Sequence, residues 1–103
     1  MNLQKPKKYR SKRLTQSAKG NSCTFRIPGV CNHDNSTVVF CHAPSSMKGA
    51  GTKSDDFWGA DGCSACHYFV DNDVSGGTQK VYFYDAIIET LRRRFDDGLI
   101  KLV

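Results

Sequence analysis

The sequence predicts a small α+β domain that is stabilised by a metal ion and has a short N-terminal helix and a longer C-terminal helix. Three observations lead to this prediction. The chain has 103 residues, a size at which a core often needs a metal, disulfides or a partner. Most of its five cysteines form close pairs along the chain. A strand signal precedes the second pair, and two helical patterns follow it.

The predicted elements follow in chain order. Ser11 and Gly20 mark the N-cap and the C′ residue of a short helix. The run "STVVFCH", which ends in His42, predicts a strand because it is rich in β-branched residues. Residues 43–62 are rich in Gly, Ser, Lys and Asp and predict a long loop. The segment "SACHYFVDND" then predicts a helix that begins at a Cys-x-x-Cys motif.

The C-terminal quarter predicts the longer helix, at about residues 79–96, after a break at Ser75-Gly76-Gly77-Thr78. Gly98 is expected to end it, and the closing "LIKLV" to add a short strand. Apolar residues recur in this helix at intervals of three and four, which predicts a face packed on the core. That predicted face consists of Val81, Tyr84, Ile88, Leu91 and Phe95.

The net charge of +5 is unevenly distributed, because residues 1–26 carry basic side chains and no acid. We expect residues 1–10 to be a disordered basic arm and residues 11–103 to be a single domain. Such an arm attracts phosphate groups, although a solvated tail is the alternative. The first residues lack the apolar segment of a secretory signal, and no apolar run could span a bilayer. We therefore expect a cytoplasmic protein, in which stable disulfides are disfavoured.

The cysteine pairs, Cys23-x7-Cys31 and Cys63-x2-Cys66, predict a structural zinc site. A tetrahedral zinc takes four soft ligands, and two chain turns can each supply two of them. Two disulfides or a redox Cys-x-x-Cys are the alternatives. Disulfides fit poorly with an odd number of cysteines, and a redox motif would need a βαβ context that the sequence lacks.

Two histidines remain once four cysteines bind zinc. His67 and Asp71 are four residues apart on one predicted helix face and can share a divalent cation. His42, at the end of the predicted strand, can take a proton from water, so the pattern suggests phosphodiester hydrolysis. Each residue also has a structural interpretation, as helix surface, zinc-site hydrogen-bond donor or cap. His33 is expected to be an exposed loop residue or a substitute zinc ligand.

The order strand with His42, loop, Cys-x-x-Cys-His and helix resembles the HNH, or ββα-metal, nuclease superfamily. More narrowly, four segments in order resemble the small YbcO-like prophage proteins: "CTFRIPGVC", "GAGTKSDD", "CSACHYFVD" and "LRRRFDDGLIKLV". The resemblance covers about residues 14–103. It implies His42 as general base, His67 as a ligand of a catalytic metal, and a structural zinc held by the four paired cysteines. Asp56 corresponds best to the middle position of the motif, where it could orient His42 or bind metal. Cys41 departs from the family pattern, which often has an acid or a histidine there.

The resulting hypothesis is a DNA endonuclease of phage or prophage type that depends on Mg²⁺ or Mn²⁺ and leaves a 5′-phosphate. Arg26, Lys48 and Lys53 are the predicted phosphate contacts. The glycines of "GAGT" allow the loop backbone to approach a phosphate closely, and the flanking lysines add positive charge. The alternative is a non-catalytic zinc-knuckle module that binds nucleic acid or assists recombination. The expected partner is DNA, and a phage or host recombination protein is a further candidate.

Overall fold

The computed structural model describes residues 9–43, 54–72 and 77–102, with the backbone alone for residues 77–80. Within these ranges the order of elements is α1 (Lys12–Gln16), β1 (Val39–His42), β2 (Gly59–Gly62), α2 (Ser64–Asp71) and α3 (Gly77–Asp96). A short 3-10 turn, Asn35–Thr37, leads into β1. The fold is a small α+β domain, as predicted, and no described helix is long and apolar enough to cross a membrane.

Helix α1 begins where the sequence predicts, but it ends at Gln16 with Ser17 as its C-cap, so the prediction of Gly20 as the C′ residue is wrong. Ser11 is its N-cap, and the Ser11 side chain accepts a hydrogen bond from the Leu14 backbone N–H at 3.3 Å. Tyr9 and Arg10, which lie in the predicted basic arm, are held against the segment that precedes β2. The Tyr9 carbonyl accepts from the Asp56 N–H at 2.9 Å, so the folded part extends two residues beyond the predicted boundary. Residues 1–8 lie outside the described part.

The two strands form an antiparallel pair in which His42 lies opposite Gly59 and Phe40 lies opposite Asp61. Strand β1 confirms the prediction for "STVVFCH". The prediction of a continuous loop over residues 43–62 is wrong at its end, because β2 occupies Gly59–Gly62. Its sequence, "GADG", is poor in strand-forming residues, yet close contacts require its glycines. A Cβ on Gly62 would lie 2.7 Å from the Phe25 ring, and one on Gly59 would meet the Phe40 ring at 2.6 Å.

Helix α2 follows β2 directly and begins at the Cys-x-x-Cys motif, as predicted. Cys63 is its N-cap, and the Cys63 sulfur accepts from the Cys66 N–H at 3.4 Å. The backbone N–H of His67 bonds to the Cys63 carbonyl at 2.9 Å. Strands β1 and β2 and helix α2 therefore follow one another along the chain. Strand β2 begins at Gly59, opposite His42, and ends directly before Cys63, the first cysteine of the Cys-x-x-Cys motif.

Helix α3 begins at Gly77, two residues earlier than predicted, and ends before Gly98, whose φ of 76° suits a glycine. The Leu99 and Ile100 N–H groups bond to the Arg94 carbonyl, so the start of "LIKLV" closes the helix and forms no strand. The prediction that the apolar stripe of this helix packs on the core is also wrong. Val81 and Tyr84 are each 70% exposed, and α3 instead buries Phe83, Ala86, Thr90 and Arg94 against β2.

A buried ion pair anchors α3 to the sheet. Asp61 of β2 is fully buried, and both of its carboxylate oxygens accept hydrogen bonds from the guanidinium of Arg94, which is 2% exposed. Arg93 and Asn21 reach the same carboxylate at 3.1 and 3.3 Å. The Asp61 backbone N–H donates to the Thr90 hydroxyl at 3.1 Å. Polar side chains thus supply much of the contact between α3 and the sheet, beside the apolar Phe83 and Ala86.

Candidate functional site

Four cysteine side chains meet at the start of α2. The sulfur atoms of Cys23, Cys31, Cys63 and Cys66 all lie within 4.8 Å of one another, an arrangement that can hold a metal ion. The Cys31 and Cys63 sulfurs are 3.8 Å apart. Zn–S bonds of about 2.3 Å in a tetrahedron place two sulfurs about 3.8 Å apart, so this spacing fits zinc. Among the described residues, no other group of three or more metal-binding side chains is as close.

The local backbone prepares one of these thiols for metal binding. Burial raises the pKa of Cys63, but hydrogen bonds from the backbone N–H groups of Cys66 and Asn32 outweigh it and lower that pKa to about 7. Burial raises the pKa of Cys66 and of Cys31 above the ordinary thiol value. Four thiols so close together cannot all ionise without a cation between them, which is the behaviour of a metal site. All five cysteines are free of disulfides.

The candidate catalytic residues line one cavity of about 710 Å³ between α1, β1 and α2. The four candidate catalytic residues lie in its wall: His42, Asp56, His67 and Asp71. The rest of the wall comes mainly from α1, the turn after it and β1, including Lys12, Gln16, Lys19 and Phe40. The residues that the sequence assigns separately to base and metal-binding roles therefore face one common space.

Asp56 holds His42 in place. The Asp56 carboxylate is 2.8 Å from Nε2 of His42, and it also accepts from the Ser11 N–H at 2.7 Å and from Arg10 at 3.2 Å. The Phe40 ring packs edge-on against the imidazole at 5.1 Å. Burial raises the pKa of Asp56, but the His42 bond, the Ser11 bond and the Arg10 charge lower it below its ordinary range. The carboxylate therefore stays ionised, and it favours the tautomer of His42 with hydrogen on Nε2.

The contacts of the Asp56 carboxylate with His42, Ser11 and Arg10, here called the Asp56 clamp, predict a specific pH dependence of stability. A carboxyl group whose folded-state pKa is lowered stabilises the fold above its ordinary pKa, which is 3.8 for Asp56, and loses that contribution as pH falls through the folded-state value. We expect Asp56→Asn to reduce the free energy of unfolding by a constant amount at neutral pH and by less below pH 3.8. Urea unfolding of both proteins between neutral and acid pH measures this. A difference that grows on acidification would contradict the clamp.

His67 and Asp71 form the second pair in the cavity. Nε2 of His67 lies 3.0 Å from an Asp71 carboxylate oxygen, as expected for residues four apart on one helix face. Their side chains are 36% and 54% exposed, so both remain accessible to a ligand in the cavity. These two residues offer one nitrogen and one carboxylate, which suit a divalent cation that keeps water in its coordination shell.

The remaining predicted site residues lie elsewhere or outside the described part. Arg26 makes a two-pronged ion pair with Glu89 of α3, at 2.9 and 2.6 Å, and does not line the cavity. Lys48 and Lys53 fall outside the described residues. Cys41 is fully buried beside β2, outside the cysteine cluster, and burial raises the pKa of its thiol. His33 is exposed, with Nδ1 3.7 Å from the Cys31 sulfur.

Sequence reasoning missed two features of the site. Arg10 was assigned to a disordered arm, yet it contacts Asp56 within the cavity wall. The sequence predicts helix α1 but assigns it no role in the site. In the structure the exposed Lys12, within α1, and Lys19, just after it, line the same cavity as His42. The basic composition of residues 1–26 was the available signal, but only the tertiary fold shows which of these charges lie beside the histidine.

Known proteins similar to this chain include a protein family, two curated proteins and one solved structure. Residues 12–96 match the protein-family model described as "Putative nuclease YbcO". Two curated proteins of that name, from Escherichia coli (strain K12) and Enterobacteria phage 82, are each 38% identical over 92 residues, which covers 85% of this chain and 96% of theirs. A solved structure described as "Structure of a putative bacteriophage protein from Escherichia coli str. K-12 substr. MG1655" is similar with a TM-score of 0.64. It is 30% identical and covers 82% of this chain and 98% of its own.

Proposed function

Because this chain belongs to the family "Putative nuclease YbcO", we propose that it is a divalent-metal-dependent endonuclease of the HNH, ββα-metal type that hydrolyses DNA. The observation that carries the proposal is the common cavity of His42, Asp56, His67 and Asp71. Hydrolysis of a phosphodiester needs a base for water, charge stabilisation at the phosphate and a means of holding the backbone. The cavity wall offers side chains for each of these tasks.

His42 is the proposed general base. When Nε2 carries its hydrogen toward Asp56, Nδ1 is left with a lone pair that can accept a proton from water. Among the described residues, no side chain or backbone group bonds to Nδ1. Asp56 acts as a positioning residue, since it accepts bonds from His42, Ser11 and Arg10 and has little remaining capacity for a metal.

The proposed site for the catalytic metal is His67 with Asp71. A divalent cation there would neutralise charge on the scissile phosphate and on the leaving oxygen. The two side chains are partly exposed in the cavity, and their mutual contact would open to admit the ion. Mg²⁺ and Mn²⁺ are the candidates, because both accept carboxylate and water ligands. Zinc is proposed for the four-cysteine cluster, where it joins the segment before β1 to the start of α2.

Helix α1 and the turn after it supply the proposed grip on the substrate backbone. Lys12 and Lys19 line the same cavity as His42, and Gln16 lies between them along the chain. The two exposed lysines can contact phosphates without reading bases, which predicts sequence-tolerant binding. Arg26, Lys48 and Lys53 remain proposed contacts for a backbone that extends beyond the cavity.

The experiment that tests this function compares two histidine variants. We expect His42→Ala to lower the rate of plasmid nicking at least about 100-fold, because general bases typically contribute factors of about 10² to 10⁴. His33→Ala is the matched histidine control, since His33 is exposed and lies outside the cavity; its zinc content is measured as well, because Nδ1 of His33 lies 3.7 Å from the Cys31 sulfur. It should retain nearly full activity. Single-turnover cleavage with Mg²⁺ or Mn²⁺, together with the thermal unfolding of each protein, measures both effects.

Equal activity in wild type and His42→Ala would exclude His42 as the base. If folded, zinc-loaded wild type binds DNA but cleaves none with any divalent ion, the result would instead favour a non-catalytic nucleic-acid-binding module. That module would keep the four-cysteine site and the basic wall of α1 and would be unaffected by His42→Ala.

A further inference from the structure

The outward face of α3 carries an apolar stripe that the described part of the chain leaves exposed. Val81 and Tyr84 are each 70% exposed, Ile88 is 46% exposed and Phe95 is 39% exposed, while Leu91 between them is half-buried. The opposite face of the same helix is already covered, because it packs on β2. Exposed apolar side chains that form a continuous stripe, as these do, mark an interaction surface.

The spacing of the stripe is that of a coiled-coil seam. Its five residues recur at intervals of three, four, three and four along the helix: Val81, Tyr84, Ile88, Leu91 and Phe95. This is the a/d pattern of two successive heptads, which allows one helix to pack lengthwise against another. A sheet or an irregular surface would not require this period, so the partner that fits is a second long helix with a complementary stripe.

We propose that the partner is a second copy of this chain and that two α3 helices pair antiparallel through this stripe. In that arrangement Tyr84 packs on the second copy's Phe95 and Ile88 on its Leu91, and the two-fold symmetry forms each layer twice. The seam is self-complementary because the same four residues, Tyr84, Ile88, Leu91 and Phe95, supply both sides, while Val81 lies at its outer end. The chain therefore needs no other protein to cover the stripe.

The charges beside the stripe support this pairing. Asp85 and Arg92 each follow a d-type residue, Tyr84 and Leu91, and both are exposed. In the antiparallel register each Asp85 lies beside Arg92 of the second copy, which gives two opposite-charge contacts. Among the described residues neither side chain has an ion-pair partner, whereas Glu89 on the inner side is paired with both Arg26 and Arg93.

The first test is the oligomeric state of the zinc-loaded full chain, measured by sedimentation equilibrium without nucleic acid. We expect a dimer at about 50 µM and a monomer for Ile88→Glu, which buries a charge at the centre of the seam. Tyr68→Glu is the control, because Tyr68 is a 72% exposed aromatic residue on α2. It should remain dimeric. A monomeric wild type at that concentration, or a dimeric Ile88→Glu, would overturn the proposal.

Charge reversal tests the direction of pairing. Asp85→Arg alone places two arginines side by side at both ends of the seam and should weaken dimerisation at least about tenfold. Adding Arg92→Asp exchanges the two charges and should restore the wild-type dissociation constant. If the double variant is as weak as the single one, the antiparallel pairing is wrong. Because no cleavage is measured, these results are independent of the nuclease proposal.

Discussion

Replacement of Cys66 by serine is expected to abolish binding of the proposed zinc and cooperative unfolding of the domain. The cluster joins the segment around Cys23 and Cys31 to β2 and α2, and a chain of 103 residues has only a small core to take over that role. Metal binding supplies folding free energy in such domains, about 10 to 16 kcal/mol for zinc-finger peptides. A hydroxyl is a poor substitute for a thiolate, so much of this contribution would be lost.

The measurement combines zinc content by mass spectrometry with thermal unfolding followed by circular dichroism. Cys41→Ala is the matched control, because Cys41 is fully buried yet lies outside the cluster. It should keep one zinc per chain and lose only about 1 kcal/mol of stability, as is usual for a small core change. Retention of one zinc and of the wild-type transition by Cys66→Ser would contradict the proposed structural metal.

Asp61→Asn is expected to destabilise the fold by about 3 to 5 kcal/mol, the usual cost of removing one partner from a buried ion pair. The change keeps the size of the side chain but leaves the buried guanidinium of Arg94 without its counter-charge. Arg93 would lose the same partner at 3.1 Å. Urea denaturation of the zinc-loaded protein, at constant metal concentration, measures the difference.

Asp96→Asn provides the control, since Asp96 is an exposed carboxylate at the end of the same helix and should cost little. The double variant Asp61→Asn with Arg94→Met separates a lost charge pair from general disruption. It should recover part of the stability that Asp61→Asn loses, because an apolar side chain no longer buries an unpaired charge. A loss of less than about 1 kcal/mol for Asp61→Asn would show that the pair contributes little.

Local signals in the sequence were sufficient for the elements that begin at a cap or at a metal motif. Ser11 as N-cap set the start of α1, and the Cys-x-x-Cys turn set the start of α2, because the groups that satisfy the first N–H groups are encoded within a few residues. The cysteine cluster was predicted for the same reason. The two cysteines of each pair are close in sequence, and a tetrahedral zinc with four thiolate ligands requires both pairs to contact the same ion.

The failures share one physical cause, which is that tertiary contact overrode local preference. Strand β2 has the composition of a loop, but glycine is required where the Phe25 and Phe40 rings approach the backbone. Helix α3 turns Ala86, Thr90 and Arg94 toward the sheet because Asp61 lies there. The spacing of apolar residues alone cannot reveal that the Arg94–Asp61 ion pair lies on the face of α3 that contacts the sheet.

The candidate site could be predicted only in part from the sequence, because some of its contacts join residues that are far apart along the chain. The pairing of His67 with Asp71 follows from their separation by four residues, and the structure places them 3.0 Å apart. The contact of His42 with Asp56 crosses 14 residues, and the resemblance suggested it, not the spacing. No sequence pattern placed α1 on the opposite wall of the cavity. The position of α1 depends on hydrogen bonds from Tyr9, Arg10 and Ser11 to the carboxylates of Asp55 and Asp56.

The proposed hydrolysis of phosphodiesters in this cavity is tested most directly by a cleavage assay of the zinc-loaded wild-type protein. Supercoiled plasmid and single-stranded DNA would be incubated with Mg²⁺, Mn²⁺ or EDTA, and the new ends analysed by phosphatase treatment and labelling. We expect nicking that requires the divalent ion and leaves a 5′-phosphate and a 3′-hydroxyl. Folded, zinc-loaded protein that leaves both substrates intact with either ion would contradict it.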